Sequence, residues 1–187
     1  ARKETLYAWD EVSLESVLLK IRNGCHFSHY TALRMHDLTE QEPKTIYLNV
    51  EQPPKAPPAG GLAQDRIDAA FARHPRRTNN VAEFEDLRIC LLNGKHTGYL
   101  GVETREIVTA GGTQRTNVRV TDVERTLIDI AVRPFYAGGV AEVLKAYQRA
   151  GQRASVNRIA ALLRQIGHVY PYHQAVGFYL DRSGAFS

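Results

Sequence analysis

The sequence predicts an α+β domain: a central strand-rich block with hairpins, flanking N-terminal helices and a helical C-terminal half. Two observations predict it. Apolar residues recur at helical spacing near the N-terminus and again from about residue 121 onward, with capping residues at the ends of the runs. Between residues 81 and 122 the chain breaks instead into short runs punctuated by Asn93-Gly94 and Gly111-Gly112. Nothing repeats at a solenoid period, so residues 1–187 are expected to form one unit.

The first helix is expected over about 11–22. Val12, Val17, Leu18 and Ile21 share a face there, Ser13 stands near the start and Gly24 lies just past the end. Ser28 is placed to cap a second, short helix carrying Ala32, Leu33 and Met35. KTIYLNV follows as a strand, with Ile46, Leu48 and Val50 alternating against Thr45, Tyr47 and Asn49. Residues 51–61, EQPPKAPPAGG, hold four prolines and two glycines; proline has no N–H for a ladder, so a mobile surface loop is expected. Helical spacing resumes through Leu62, Ile67, Ala70 and Phe71 and ends before His74 and Pro75. In the strand block, Asn93-Gly94 between apolar runs reads as a hairpin turn, because both central residues of the favoured turn need positive φ. Helices then follow at about 121–132, 138–150 and 155–166, and a last one starts near Pro171.

A chain of 187 residues buries roughly 70% of its unfolded surface, enough for a core without staples. The composition is that of a globular protein, and no apolar run approaches the ~18 residues of a membrane span, so no membrane partner is expected. Two cysteines, Cys25 and Cys90, are too few for a secreted disulfide scaffold and point to a reducing cytoplasm. The chain opens on Ala1 and runs at once into mixed charge, which suggests a start trimmed from something longer. A formal charge of +4 suits nucleic acid or an acidic protein and decides for neither.

The densest polar pattern is VTDVERTLIDIAVRP, residues 120–134. Thr121 and Glu124 have capping-box spacing, worth about 1 kcal/mol. Asp122 falls in the first turn, where the helix dipole favours a negative charge. Arg125 and Asp129 stand at i,i+4, Arg133 closes the last turn, Pro134 stops the helix and Gly138-Gly139 lead into the next. The competing reading makes Asp122, Glu124 and Asp129 acid, base or metal ligands. Five residues of helix set Glu124 and Asp129 about 140° apart, however, and seven set Asp122 and Asp129 about 10 Å apart. The pattern therefore reads as a capped, ion-paired helix.

Other constellations carry weaker signals. Cys25, His26, His29 and His36 lack the second ligand pair that zinc sites show, so neither metal nor cofactor is expected. NGKHTGYLG offers Lys95 and Thr97 but not the spacing of a phosphate-binding P-loop. Arg73, Arg76 and Arg77 are candidate nucleic-acid contacts or a solvated loop edge. Arg149, Arg153, Arg158 and Arg164 read as a solvated helical face, and Tyr170, Tyr172, His173, Phe178 and Tyr179 as core closure. No nucleophile elbow, catalytic Cys/His arrangement or dinucleotide turn occurs, so no residue is assigned as catalytic and no enzyme is expected.

Four blocks together carry a resemblance. HFSHYTALRMHDLTEQEPKTIYLNV resembles the opening of the C-terminal antitoxin domain of AbiEi-type antitoxins, and LLNGKHTGYLGV, VTDVERTLIDIAVRPFYAGG and VYPYHQAVGFYLDRSG resemble later blocks of one branch of that family. The likeness runs from about Tyr7 to the end, and the order of the blocks is more specific than any one of them. The resemblance implies an antitoxin of a type IV toxin–antitoxin, or abortive-infection, system that counteracts a nucleotidyltransferase-like toxin. It also implies a winged-helix domain, upstream of this chain, that binds promoter DNA and represses the operon. It supplies no catalytic residue. The rival expectations are a nuclease-like or nucleotide-binding enzyme using Asp122, Glu124 and Asp129 with Lys95, and direct DNA binding through Arg73, Arg76 and Arg77.

Overall fold

The computed structural model describes residues 12–56, 63–109, 112 and 114–186, and these form an α+β fold. In chain order the elements are α1 (Leu14–Leu18), β1 (His26–Phe27), α2 (His29–Met35), β2 (Thr45–Glu51), α3 (Gln64–Phe71), β3 (Val81–Phe84), β4 (Leu87–Gly94), β5 (Val102–Val108), β6 (Arg115–Thr121), α4 (Val123–Val132), a 3-10 turn at Pro134–Tyr136, α5 (Val140–Ala150), α6 (Val156–Ile166) and α7 (Tyr172–Ser183). The strands make one mixed sheet in the order β3-β4-β2-β1-β6-β5. β2 runs parallel to β4 and β1 parallel to β6, while β1 and β2, β3 and β4, and β5 and β6 are antiparallel pairs.

Several expectations hold. The alternation in β2 sends Ile46, Leu48 and Val50 into a cluster with Leu18, Phe27, Val118 and Val120, while Tyr47 packs against the helical cluster instead. α5 begins after Gly138 and Gly139, whose φ values of 79° and 95° a side chain would oppose. Ser155 caps α6 by accepting from the Arg158 N–H, and α7 starts one residue after Pro171. The helices close a core through Leu127, Ile128, Val143, Ala146, Ile159 and Val176, and the buried Tyr147 hydroxyl donates to the Leu127 carbonyl at 3.0 Å.

Other expectations are corrected. The first helix is short: Ser13 caps it through the Ser16 N–H, but past Leu18 the Lys20 and Ile21 N–H groups donate to Val17 and Leu18, so the periodicity continues as tighter i−3 turns. Its expected first residue, Glu11, lies outside the described residues. Ser28 precedes α2 but makes no side-chain cap, because its hydroxyl pairs with His29 Nδ1 at 2.9 Å. Asn93-Gly94 is not a hairpin. Both residues end β4 and pair with Val50 and Glu51, and Gly94 is absent from the positive-φ glycines. The tight turn lies one strand earlier, between β3 and β4, where Glu85 takes φ 54°. Gly112 does serve the β5–β6 connection, its N–H donating to the Thr109 carbonyl; Gly111 lies outside the described residues.

The expected 51–61 loop begins one residue late, since Glu51 completes β2; residues 57–61, and Leu62 of the next helix, lie outside the described residues. α3 forms but buries none of its residues: Phe71 is 58% exposed, its ring edge-to-face with those of Tyr170 and Tyr172. The aromatic patch divides in the same way. Tyr179 stacks on Tyr147 in the core, while Phe178 is 61% exposed. Among the described residues no helix is long and apolar enough to cross a membrane.

Candidate functional site

The three carboxylates of residues 120–134 go to different partners. Thr121 is not the cap of α4. It ends β6 fully buried, its hydroxyl 2.7 Å from that of Thr126. Asp122 is the cap, accepting from the Arg125 N–H at 2.7 Å through Oδ1 and from Arg158 through Oδ2. Glu124 does not reach back to close a capping box. It accepts from the Ser155 N–H at 3.0 Å and lies 3.6 Å from Arg158 Nε, so it ties the start of α6 to α4. Arg158 is thus an ion-pair partner rather than part of a wholly solvated face. Arg133 sits beyond the last turn as the C-cap, with φ −136°, and Pro134 opens the 3-10 turn.

The expected pair of Arg125 and Asp129 forms, and it is buried. Arg125 Nε donates to Asp129 Oδ1 at 2.9 Å, and Nη1 donates to the Leu100 carbonyl at 2.6 Å and to Thr97 Oγ1 at 3.2 Å. Burial disfavours the Asp129 charge, but Arg125 beside it more than compensates and holds its pKa below the ordinary carboxylate range. Behind Thr97 stands a residue that sequence reasoning left in a loop. Glu51 is withdrawn from solvent and accepts from the N–H groups of Thr97, Gly98 and Tyr99 at 2.9, 2.9 and 3.1 Å, and from the Thr97 hydroxyl. The amides after Lys95 therefore hold an anion, as a phosphate cradle would, but the anion is the chain's own carboxylate.

Thr97, Arg125 and Asp129 border a cavity of about 150 Å³ at the ends of β2 and β4. Asn49, Gly94, Lys95 and Thr97 come from the sheet side, Arg125, Asp129 and Arg133 from α4 and its end, and His168 and Tyr172 from the α6–α7 connection. His29 closes the inner wall; burial, its dominant cause, pushes its pKa down to about 4. His168 is likewise pushed down to about 4, chiefly by burial, with Lys95, Arg125 and Arg133 adding to that effect and Asp129 opposing it. Both rings are neutral at pH 7, so the fixed charges around the cavity are three cations against one carboxylate. Of the residues proposed from sequence for chemistry, Lys95 and Asp129 meet here, whereas Asp122 and Glu124 face α6. Asn49, Glu51 and His168 were missed. The one available signal was a polar residue, Asn49, at a position in β2 flanked by Leu48 and Val50.

The four candidate metal ligands serve other ends. His26 Nε2 faces Asn49 Nδ2 at 3.2 Å, His36 lies between Arg105 Nη1 at 2.9 Å and the Thr121 carbonyl at 2.6 Å, His29 bonds Ser28, and Cys25 is a buried thiol raised by burial to about 11. Among the described residues no group of three His, Cys, Asp or Glu is arranged to hold a metal. Arg73, Arg76 and Arg77 are exposed after α3, with Arg77 5.5 Å over the Phe135 ring.

Fold and site together define an α+β protein with a mixed sheet and a cation-lined polar cavity at the sheet–helix junction. No protein-family model matches the chain, and no curated protein matches it either.

Proposed function

We propose that the chain is the antitoxin core of an AbiEi-type, type IV toxin–antitoxin system. In this reading it is a cytoplasmic, non-enzymatic interaction domain that counteracts a nucleotidyltransferase-like toxin, and promoter DNA is bound by a winged-helix domain outside the chain. The observation that carries it is where the four resembling blocks meet. Residues 26–50 contribute His29 and Asn49 to the cavity, 91–102 contribute Gly94, Lys95 and Thr97, 120–139 contribute Arg125, Asp129 and Arg133, and 169–184 contribute Tyr172. Blocks dispersed over most of the chain thus share one locus, as expected if the family's pattern maintains that locus. The engagement of Asp122, Glu124 and Asp129 by N–H groups and arginines further supports a non-catalytic reading.

The test is co-expression of the full-length gene with the neighbouring toxin gene, with growth and a promoter reporter as readouts. Rescue with repression is expected; failure of both overturns the reading. A second reading, the nuclease-like or nucleotide-binding enzyme, keeps only Lys95 and Asp129 in one place. It requires a turnover that the purified chain displays and that Asp129→Asn abolishes.

A further inference from the structure

Two buried side-chain atoms lack a hydrogen-bond partner among the described residues, Asn49 Oδ1 and His168 Nε2, and both residues border the same cavity. A buried polar atom left unpaired forfeits its hydration without compensation, so two at one locus call for an explanation. The orientation of Asn49 follows from its neighbour. His26 Nδ1 lies 3.3 Å from the Gly24 carbonyl and must donate to it, so the neutral ring's Nε2 accepts from Asn49 Nδ2, and Oδ1 is left over. Asn49 is 3% exposed, and its amide is kept clear by Gly94: a Cβ there would stand 2.6 Å from Nδ2 and 2.7 Å from Oδ1. The cations line the same cavity as this acceptor. Arg125 gives three of its five N–H groups to Asp129, Thr97 and Leu100, and Lys95 gives one of its three to the Gly167 carbonyl, so two remain on each.

A ligand matching this lining carries negative charge for Lys95 and Arg133 and a hydrogen-bond donor for Asn49. Its phosphate group must also fit about 150 Å³, the volume of about five waters. We propose that the cavity binds a phosphate group that carries a hydroxyl: orthophosphate through its own P–OH, or a small sugar phosphate through an adjacent hydroxyl. The oxyanion faces Lys95 and Arg133, the hydroxyl donates to Asn49 Oδ1, and the neutral His168 presents Nε2 to the remaining oxygen. Sulfate has the charge and shape but no donor at neutral pH, and a site that hydrogen-bonds a hydroxyl discriminates against analogues without one. The inference rests on the cavity alone and does not depend on the antitoxin reading.

Calorimetric titration of the chain with orthophosphate, with ribose 5-phosphate and with sulfate, at one ionic strength, tests it. Saturable one-to-one binding of at least one phosphate is expected, with sulfate weaker by about tenfold or more. Whichever phosphate binds more tightly identifies the source. Lys95→Gln, and Asn49→Asp, which sets a carboxylate against the anion, should each weaken binding by about tenfold, while Lys145→Gln on α5 should leave it unchanged. Arg133→Gln replaces the Asn49 variant should that one fail to fold by circular dichroism. Absence of saturable phosphate binding, sulfate binding as tight as phosphate, or affinity indifferent to Lys95→Gln each overturns the proposal. A Lys95→Gln protein that loses phosphate yet still rescues growth separates the ligand from the antitoxin function.

Discussion

Arg125 and Asp129 face each other at 2.9 Å, one turn apart on α4, with side chains only 5% and 13% exposed. The same guanidinium reaches the Leu100 carbonyl and Thr97, and Thr97 in turn donates to Glu51. One helix residue therefore fastens the β4–β5 connection to the end of β2. A pair of this kind stabilises little relative to an apolar replacement, but removing one member leaves a buried charge uncompensated.

Asp129→Ala should therefore destabilise the protein by about 3–5 kcal/mol in urea unfolding. Asp129→Ala with Arg125→Met should recover part of that loss. A single variant as stable as the parent would mean that Arg125 finds water or another carboxylate.

Acid should weaken the fold well before ordinary carboxylates titrate. Burial, as the main cause, lowers the pKa of His26, His29 and His36, and takes His29 from 6.5 to about 4. At His29 the unfolded chain takes up a proton as pH falls below 6.5 while the native chain refuses it until about 4, so its contribution is full above this window and declines through it, and His26 and His36 act in the same direction. The slope is up to about 1.4 kcal/mol per pH unit for each such histidine. The depressed Asp129 adds a loss of the same sign at lower pH, because its contribution is present above its unfolded pKa and disappears as it protonates in the fold. Stability unchanged across the window would contradict the buried neutral rings.

Glu51→Gln keeps the shape but not the charge or the second acceptor. The connection after Lys95 should loosen, with a stability loss of about 1–3 kcal/mol. Hydrogen exchange at the Thr97, Gly98 and Tyr99 amides, whose acceptor is Glu51, should accelerate more than exchange in α5.

Gly94→Ala sets a methyl 2.6 Å from the Asn49 amide. Overpacking of this kind should lower stability by about 1–3 kcal/mol. Thermal melting measures the loss, and Gly177→Ala, whose Cβ meets nothing within 4 Å, is the control.

Glu124→Gln keeps an acceptor for the Ser155 N–H and loses the attraction to the half-exposed Arg158. A loss of about 1 kcal/mol or less is expected, with growth rescue retained.

What could be read from the sequence was local. α4 to α7 were legible because apolar spacing, Ser155, Pro171 and Gly138-Gly139 act within a few residues of themselves. The i,i+4 pair of Arg125 and Asp129 was legible for the same reason, since helix geometry alone brings the two together. The capping box failed by one residue, because β6 claims Thr121 for its ladder and leaves the cap to Asp122. Asn93-Gly94 misled because its role is set by a neighbour: β2 offers a parallel partner, and Asn49 needs the space that a side chain would fill. Only the tertiary structure decided that Glu51 would hold the amides after Lys95, and that Asn49, Lys95, Asp129 and His168 would border one cavity. Those residues lie many positions apart. Their pairing depends on sheet order and on which groups lose water, and neither leaves a periodic trace along a chain.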